Sequence, residues 1–157
     1  MDFTHINEEG LAYMVDVSEK KSTSRSAKAY GKILMDKETV KKVYENEMVK
    51  GNVLATAQVG GIMALKNTAN LIPMCHNILI LGCDISFERY EDGIGVYCTA
   101  KTTGNTGIEM EVIVGVNIAL ATIYDMCKAV DKNMVITDIK LLEKTGGKSG
   151  TYIRQEK

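Results

Sequence analysis

The sequence predicts an α+β fold, an antiparallel sheet with helices packed on one face and one short inserted helix. Three observations carry that prediction. Strand-like and helix-like patterns follow in the order strand, helix, strand, strand, helix, strand, which is the split βαβ arrangement. Two of the strands are joined by Tyr90-Glu91-Asp92-Gly93, a turn signal of the Asp-Gly hairpin kind. The last long helix is apolar nearly all round, so more than one side of it needs cover. At 157 residues the chain is long enough for one domain with its own core, and no internal repeat or linker divides 1–157.

Residues 1–25 read as irregular and partly flexible, with Met14-Val15-Asp16-Val17 as a short strand. A polar, basic loop follows over 18–25, then a strand over 26–35. Asp36 is placed to cap a helix over 38–48, whose face carries Val40, Val43 and Tyr44. Lys50-Gly51 closes it with a cation and a residue free to take positive φ. Asn52 caps the next helix, 53–70, where Gly60-Gly61 in mid-helix costs roughly 1 kcal/mol each against Ala and implies a close packing partner. Pro73 forces the chain to turn after it. Strands are expected over 78–89, 94–102 and 134–143. Thr106-Gly107-Ile108-Glu109 fits a capping box opening a helix that runs to about 129. A basic, glycine-rich tail over 144–157 is expected to be partly flexible.

Apolar residues are 45% of the chain, charged residues 25%, and the net charge is −1. Bulk electrostatics therefore suggest neither nucleic acid nor membrane as partner, and an anion site must be a local basic cluster. The first ten residues carry acids and no apolar targeting segment. The apolar stretch 112–123 is broken by Asn117 and reads as too short to span a bilayer. Cysteines 75, 83, 98 and 127 have no framework spacing, which favours free thiols in a reducing cytoplasm.

Four clusters could carry chemistry. Asp125 and Lys128 share one helix face among apolar neighbours, where a partly buried Lys can shift toward neutrality and act as acid or base. Glu109 is accounted for by the capping box, whereas Glu111 sits without such a reason on an apolar helix. Cys75-His76 lacks a second ligand pair for a metal, and as sequence neighbours in an extended segment the two should point apart. That leaves His76 as acid, base or phosphate contact. The fourth cluster is the basic set Lys20, Lys21, Arg25, Lys50, Lys66, Lys144 and Lys148. Gly146-Gly147-Lys148-Ser149 fails as a P-loop, because Leu142 stands where its first glycine belongs.

Taken together, Met14-Val-Asp-Val-Ser18, Lys50-Gly51, Leu71-Ile-Pro-Met-Cys-His76, Thr106-Gly-Ile-Glu-Met-Glu111, Tyr124-Asp-Met-Cys-Lys128 and Lys144-Thr-Gly-Gly-Lys-Ser-Gly150 resemble the cyclic pyranopterin monophosphate synthase family (MoaC) of molybdenum cofactor biosynthesis. The resemblance covers nearly the whole chain. It departs at Asn52, where the family usually has Asp, at Asn77 for Pro, and at Val112-Ile113-Val114 for Ala-Leu-Thr. It implies a ferredoxin-like fold, homohexamers built as trimers of dimers, and sites at subunit interfaces. The implied reaction turns (8S)-3′,8-cyclo-7,8-dihydroguanosine 5′-triphosphate, made from GTP by a radical-SAM partner enzyme, into cyclic pyranopterin monophosphate and diphosphate. By the same resemblance Asp125 and Lys128 are the catalytic acid and base and Lys50 assists them. Met74, Cys75, His76, Glu109, Met110 and Glu111 contact substrate, and Lys20, Arg25 and Lys148 meet the triphosphate. No resident cofactor or metal is implied.

Glu111 and Asp125 are 125 − 111 = 14 residues apart. On one continuous helix that is roughly 21 Å, which suggests that each site takes Glu111 from one subunit and Asp125 from its two-fold mate. The rival from another class is a non-enzymatic ferredoxin-like ligand-sensing oligomer. An RNA-binding module of that fold would need exposed aromatics on its central strands, and the hairpin offers only Phe87, Tyr90 and Tyr97 without an RNP motif.

Overall fold

A computed structural model describes residues 9–155. The expectation of no targeting segment concerns residues that lie mostly outside that range. In order, the elements are β1 (Thr23–Leu34), α1 (Lys37–Tyr44), α2 (Val53–Lys66), α3 (Thr68–Leu71), β2 (Gly82–Tyr90), β3 (Gly93–Gly104), α4 (Glu109–Cys127), β4 (Val135–Thr145) and β5 (Tyr152–Ile153). The sheet order is β2-β3-β1-β4-β5 and every neighbouring pair is antiparallel. This is the α+β, ferredoxin-like arrangement expected, with one two-residue strand added at an edge.

The core lies between the sheet and the α2–α4 layer. From the sheet come Ala29, Ile33, Ile85, Ile94, Val96 and Cys98, and from α4 come Val112, Val116, Leu120 and Ile123, each about 1% exposed or less. Burial of each aliphatic side chain contributes roughly 1.5–3 kcal/mol. Glycines set how closely the layers approach. A Cβ on Gly31 would lie 2.7 Å from Leu120 Cδ1, so α4 rests directly on β1. A Cβ on Gly61 would lie 2.8 Å from the Gly115 carbonyl oxygen, so α2 crosses α4 backbone to backbone. The close partner expected for the glycine pair is thus α4.

That crossing supplies cover for the second apolar side of α4, where α2 packs on it. Ten of its 19 residues are buried, and Ile118 at 38% exposure marks what remains open. By length and composition α4 is apolar enough to cross a membrane, longer than the 112–123 stretch suggested. Here it is the core helix of the layer.

Other boundaries moved for local reasons. Residues 14–17 form no strand, because they run alongside the 75–76 segment without a ladder partner. β1 instead starts at Thr23, paired with Gly104. α1 stops at Tyr44, with Asn46 turning at φ 56°. Asp36 makes no side-chain cap; its own N–H donates to Asp131 Oδ2 at 2.9 Å. Asn52 does cap α2, accepting from the Ala55 N–H at 2.9 Å, and Gly51 takes φ 92°. The helix expected to 70 breaks at Asn67 into α2 and α3. The strand expected from 78 begins at Gly82, although Leu81 N–H and the Thr102 hydroxyl already tie the preceding segment to β3.

The outer sheet face carries Tyr30 and Tyr97, ring centroids 4.9 Å apart, with Lys140 and Lys28 over their rings at 5.5 and 5.1 Å. Tyr30 is 9% exposed. Tyr90 and Tyr97 donate to the Glu88 carboxylate at 2.5 and 2.9 Å. These aromatics are engaged by their own lysines rather than displayed for stacking, which weighs against an RNA-binding sheet.

Candidate active site

Pro73 ends α3 and delivers Cys75 and His76 in an extended, strandless segment. Both line one cavity of about 440 Å³. Met74 joins them there, as do Glu109, Met110 and Glu111 from the first turn of α4 and Lys20 from the basic loop. Val15, Val17, Ile72 and Ile78 supply an apolar wall.

His76 Nε2 lies 2.8 Å from the Val15 carbonyl. A carbonyl only accepts, so Nε2 carries the proton, and in the neutral ring Nδ1 is left as a proton acceptor. Burial raises the Cys75 thiol, with the Glu111 charge adding to it, so Cys75 stays a thiol rather than a nucleophilic thiolate. Glu111 is 3% exposed. Its carboxyl is raised chiefly by burial, opposed by a backbone hydrogen bond and reinforced by nearby Glu109, so it holds its proton above the usual carboxylate range. The capping box does not form: Ile108 is the N-cap, without a side-chain hydrogen bond, and Glu109 is the first residue of α4. With that structural role gone, Glu109 is another cavity carboxyl.

A second cavity of about 490 Å³ shares Lys20, Thr106 and Gly107 with the first. It brings together Lys20, Lys21, Arg25 and Lys148, four of the seven basic residues singled out from the sequence. Lys66 and Lys144 do not line it, and Lys50 is elsewhere. Arg25 Nε donates to the Gly104 carbonyl at 3.0 Å. Thr23 and Asn105 also line this cavity, and nothing in their sequence context distinguished them. Among the described residues the Thr23 hydroxyl is one of two buried side-chain polar atoms with no hydrogen-bond partner.

The third group lies at the other end of α4. Lys50 Nζ contacts Asp125 Oδ2 at 3.0 Å and the Asp125 carbonyl at 2.8 Å, while Lys128 Nζ reaches Asp125 Oδ1 at 2.6 Å. Lys128, first among the causes, and then Lys50 hold the Asp125 carboxyl below its ordinary value. Lys128 is raised by Asp125, and its side chain is 54% exposed. Partial burial and a drift toward neutrality were expected of Lys128; in this chain the pairing drives it the other way. None of these three residues lines the first two cavities. The two groups lie at opposite ends of one helix. Among the described residues no three His, Cys, Asp or Glu side chains gather in a group able to hold a metal.

A sequence model described as the MoaC family matches residues 14–147. The chain is 56% identical over 155 residues, 99% of each chain, to the protein named cyclic pyranopterin monophosphate synthase in Peptoclostridium acidaminophilum. It is 56% identical over 157 residues, again 99% of each, to the protein of that name in Thermoanaerobacter pseudethanolicus. In Clostridium acetobutylicum the figure is 58% over 154 residues, 97% of this chain and 96% of the relative.

Proposed function

The chain belongs to the MoaC family, and from that premise we propose that it makes cyclic pyranopterin monophosphate, acting as a lyase that releases diphosphate in molybdenum cofactor biosynthesis. Its substrate is (8S)-3′,8-cyclo-7,8-dihydroguanosine 5′-triphosphate, supplied by a radical-SAM GTP cyclase, and the work is done in the cytoplasm. The observation that carries this is the end-to-end likeness to enzymes of that name, 56% identical over 99% of both chains.

The site chemistry supports the same conclusion. Expelling diphosphate requires cations at the departing phosphates, and Lys20, Arg25 and Lys148 stand together around one cavity with Lys21. Opening one ring and closing a pyran requires proton transfers. In the resting chain the pairing holds Asp125 ionised and Lys128 protonated; proton transfer by either group requires substrate to enter between them and weaken that pairing. Lys50 donates both to the Asp125 carboxylate and to its backbone carbonyl, holding the ammonium beside that carboxylate. His76, Cys75, Met74, Met110, Glu109 and Glu111 contact the nucleoside end in the adjoining cavity.

A complete site needs a second copy, because Asp125 and Glu111 belong to different ends of α4. Val59 and Met63 on α2 and Ile118 on α4 are exposed at 57%, 66% and 38%, an apolar surface suited to a subunit contact within a homohexamer, a trimer of dimers. The deciding experiment combines the purified radical-SAM partner enzyme, GTP and this protein. Cyclic pyranopterin monophosphate and diphosphate should accumulate. Binding of the cyclic nucleotide without product would favour the ligand-sensing oligomer instead.

A further inference from the structure

The phosphate-side cavity has a wall with no side chain. After β4 the chain passes through Gly146 at φ 86° and Gly147 at φ 75°, the left-handed region that favours glycine. A Cβ added at Gly146 would run into the Ser24 carbonyl oxygen, so this peptide lies directly against the β1 backbone and fixes where its successor falls. A Cβ added at Gly147 would collide with Arg25 Nη1 and lie 2.9 Å from Cζ and 3.1 Å from Nη2. Its three nearest atoms are all guanidinium atoms. The space a side chain at 147 would need is therefore filled by the guanidinium, while Nε donates to the Gly104 carbonyl at 3.0 Å.

Resting on the assignment of this cavity to the triphosphate, we infer that Gly147 is a positioning residue that aims the Arg25 Nη groups at a phosphate oxygen. Arg25 is tied to β3 through Nε and abuts the tail at Gly147, and its terminal donors are the part offered to an anion. The planar fork is what makes this placement matter, since guanidinium binds phosphate with directed, paired donors whereas an ammonium binds as a point charge. A methyl at 147 would meet the far end of a flexible side chain, not backbone. The sheet survives such a change, and Arg25 is what moves.

Gly150 supplies the control. It has φ 63° on the same tail, yet a Cβ there meets nothing within 4 Å. Gly150→Ala carries the same class of backbone strain without the collision. The test measures calorimetric affinity for inorganic triphosphate, with KM and kcat for the cyclic nucleotide, in Gly147→Ala, Gly150→Ala, Arg25→Ala, Arg25→Lys and the Gly147→Ala combinations with each Arg25 variant. Gly147→Ala should weaken triphosphate binding about tenfold, the loss of one charge-assisted contact, and raise KM more than it lowers kcat. Arg25→Ala should do at least as much, and adding Gly147→Ala to either Arg25 variant should change nothing further. Gly150→Ala should bind as wild type.

Multiplying effects of Gly147→Ala and Arg25→Ala would overturn the positioning role, as would equal damage from Gly150→Ala. Wild-type binding by Gly147→Ala beside a defective Arg25→Ala would sink the inference alone. Wild-type binding by Arg25→Ala would sink the phosphate assignment of the cavity and the inference with it. If Gly147→Ala fails to fold, the Arg25→Lys/Gly147→Ala pair decides: it should fold and match Arg25→Lys, and failure there too makes Gly147 structural.

Discussion

Lys128 and Asp125 have side chains 54% and 56% exposed, so their pairing is solvent-screened and contributes little to holding the fold. Lys128→Ala should abolish turnover while leaving the melting temperature close to wild type. A clear loss of stability with undiminished activity per folded molecule would make Lys128 structural instead. Glu111 behaves oppositely. Its folded-state pKa is raised above the ordinary 4.5, so the folded chain binds that proton more tightly than the unfolded chain does. Stability then falls as pH rises from the unfolded value through the folded one, and the penalty is complete above the folded value. Glu111→Gln removes it. This variant should melt higher than wild type near neutral pH, converge with it below the ordinary carboxylate value, and have lost activity. A lower melting temperature near neutral pH would mean that the carboxylate is ionised and paired. Asp125, Lys128 and His76 were legible as site candidates in the sequence because their side chains carry conspicuous chemistry. Thr23 and Asn105 were not visible, since a short polar residue becomes part of a wall only through tertiary placement.

At the level of elements, α2 and α4 are joined through two glycines facing each other. At Gly61 an added methyl meets the Gly115 carbonyl at 2.8 Å and Ala119 Cβ at 3.1 Å, and backbone cannot step aside. At Gly60 it meets only Thr122 Oγ1 at 3.0 Å. Alanine gains roughly 1 kcal/mol of helix propensity at either site, while overpacking costs typically about 1–3 kcal/mol. Gly60→Ala should be near neutral or stabilising and Gly61→Ala destabilising, in chemical denaturation of otherwise wild-type protein. Equal effects would show that the helices can separate at no cost. The glycine pair foretold a close partner but not which one, because local sequence carries the cost of a mid-helix glycine and not the identity of what approaches it. The capping box illustrates the converse. Thr106 and Glu109 satisfy the motif, yet the N-cap falls two residues later, at Ile108, and both residues line the first cavity. A motif built from hydrogen-bonding side chains reads the same whether those groups bond to backbone or wait for a ligand.

For the assembled molecule, the separation of Glu111 from Asp125 is the governing fact. If each site takes one from either subunit of a two-fold pair, Glu111→Gln and Asp125→Asn subunits should complement each other. A mixed dimer holds one doubly defective site and one intact site, so random pairing restores about a quarter of wild-type activity. Mixed dimers as inactive as their parents would mean that both residues serve the same chain. The length of α4 then acquires a meaning of its own. Deleting a single residue between the two ends would swing one about 100° around the axis relative to the other and draw it in by about 1.5 Å. Removing two whole turns would restore the phase but shorten the rod by about 10 Å. In such a two-fold site neither change leaves both ends facing their partners, so the helix is a ruler, and its length matters as much as the side chains it carries.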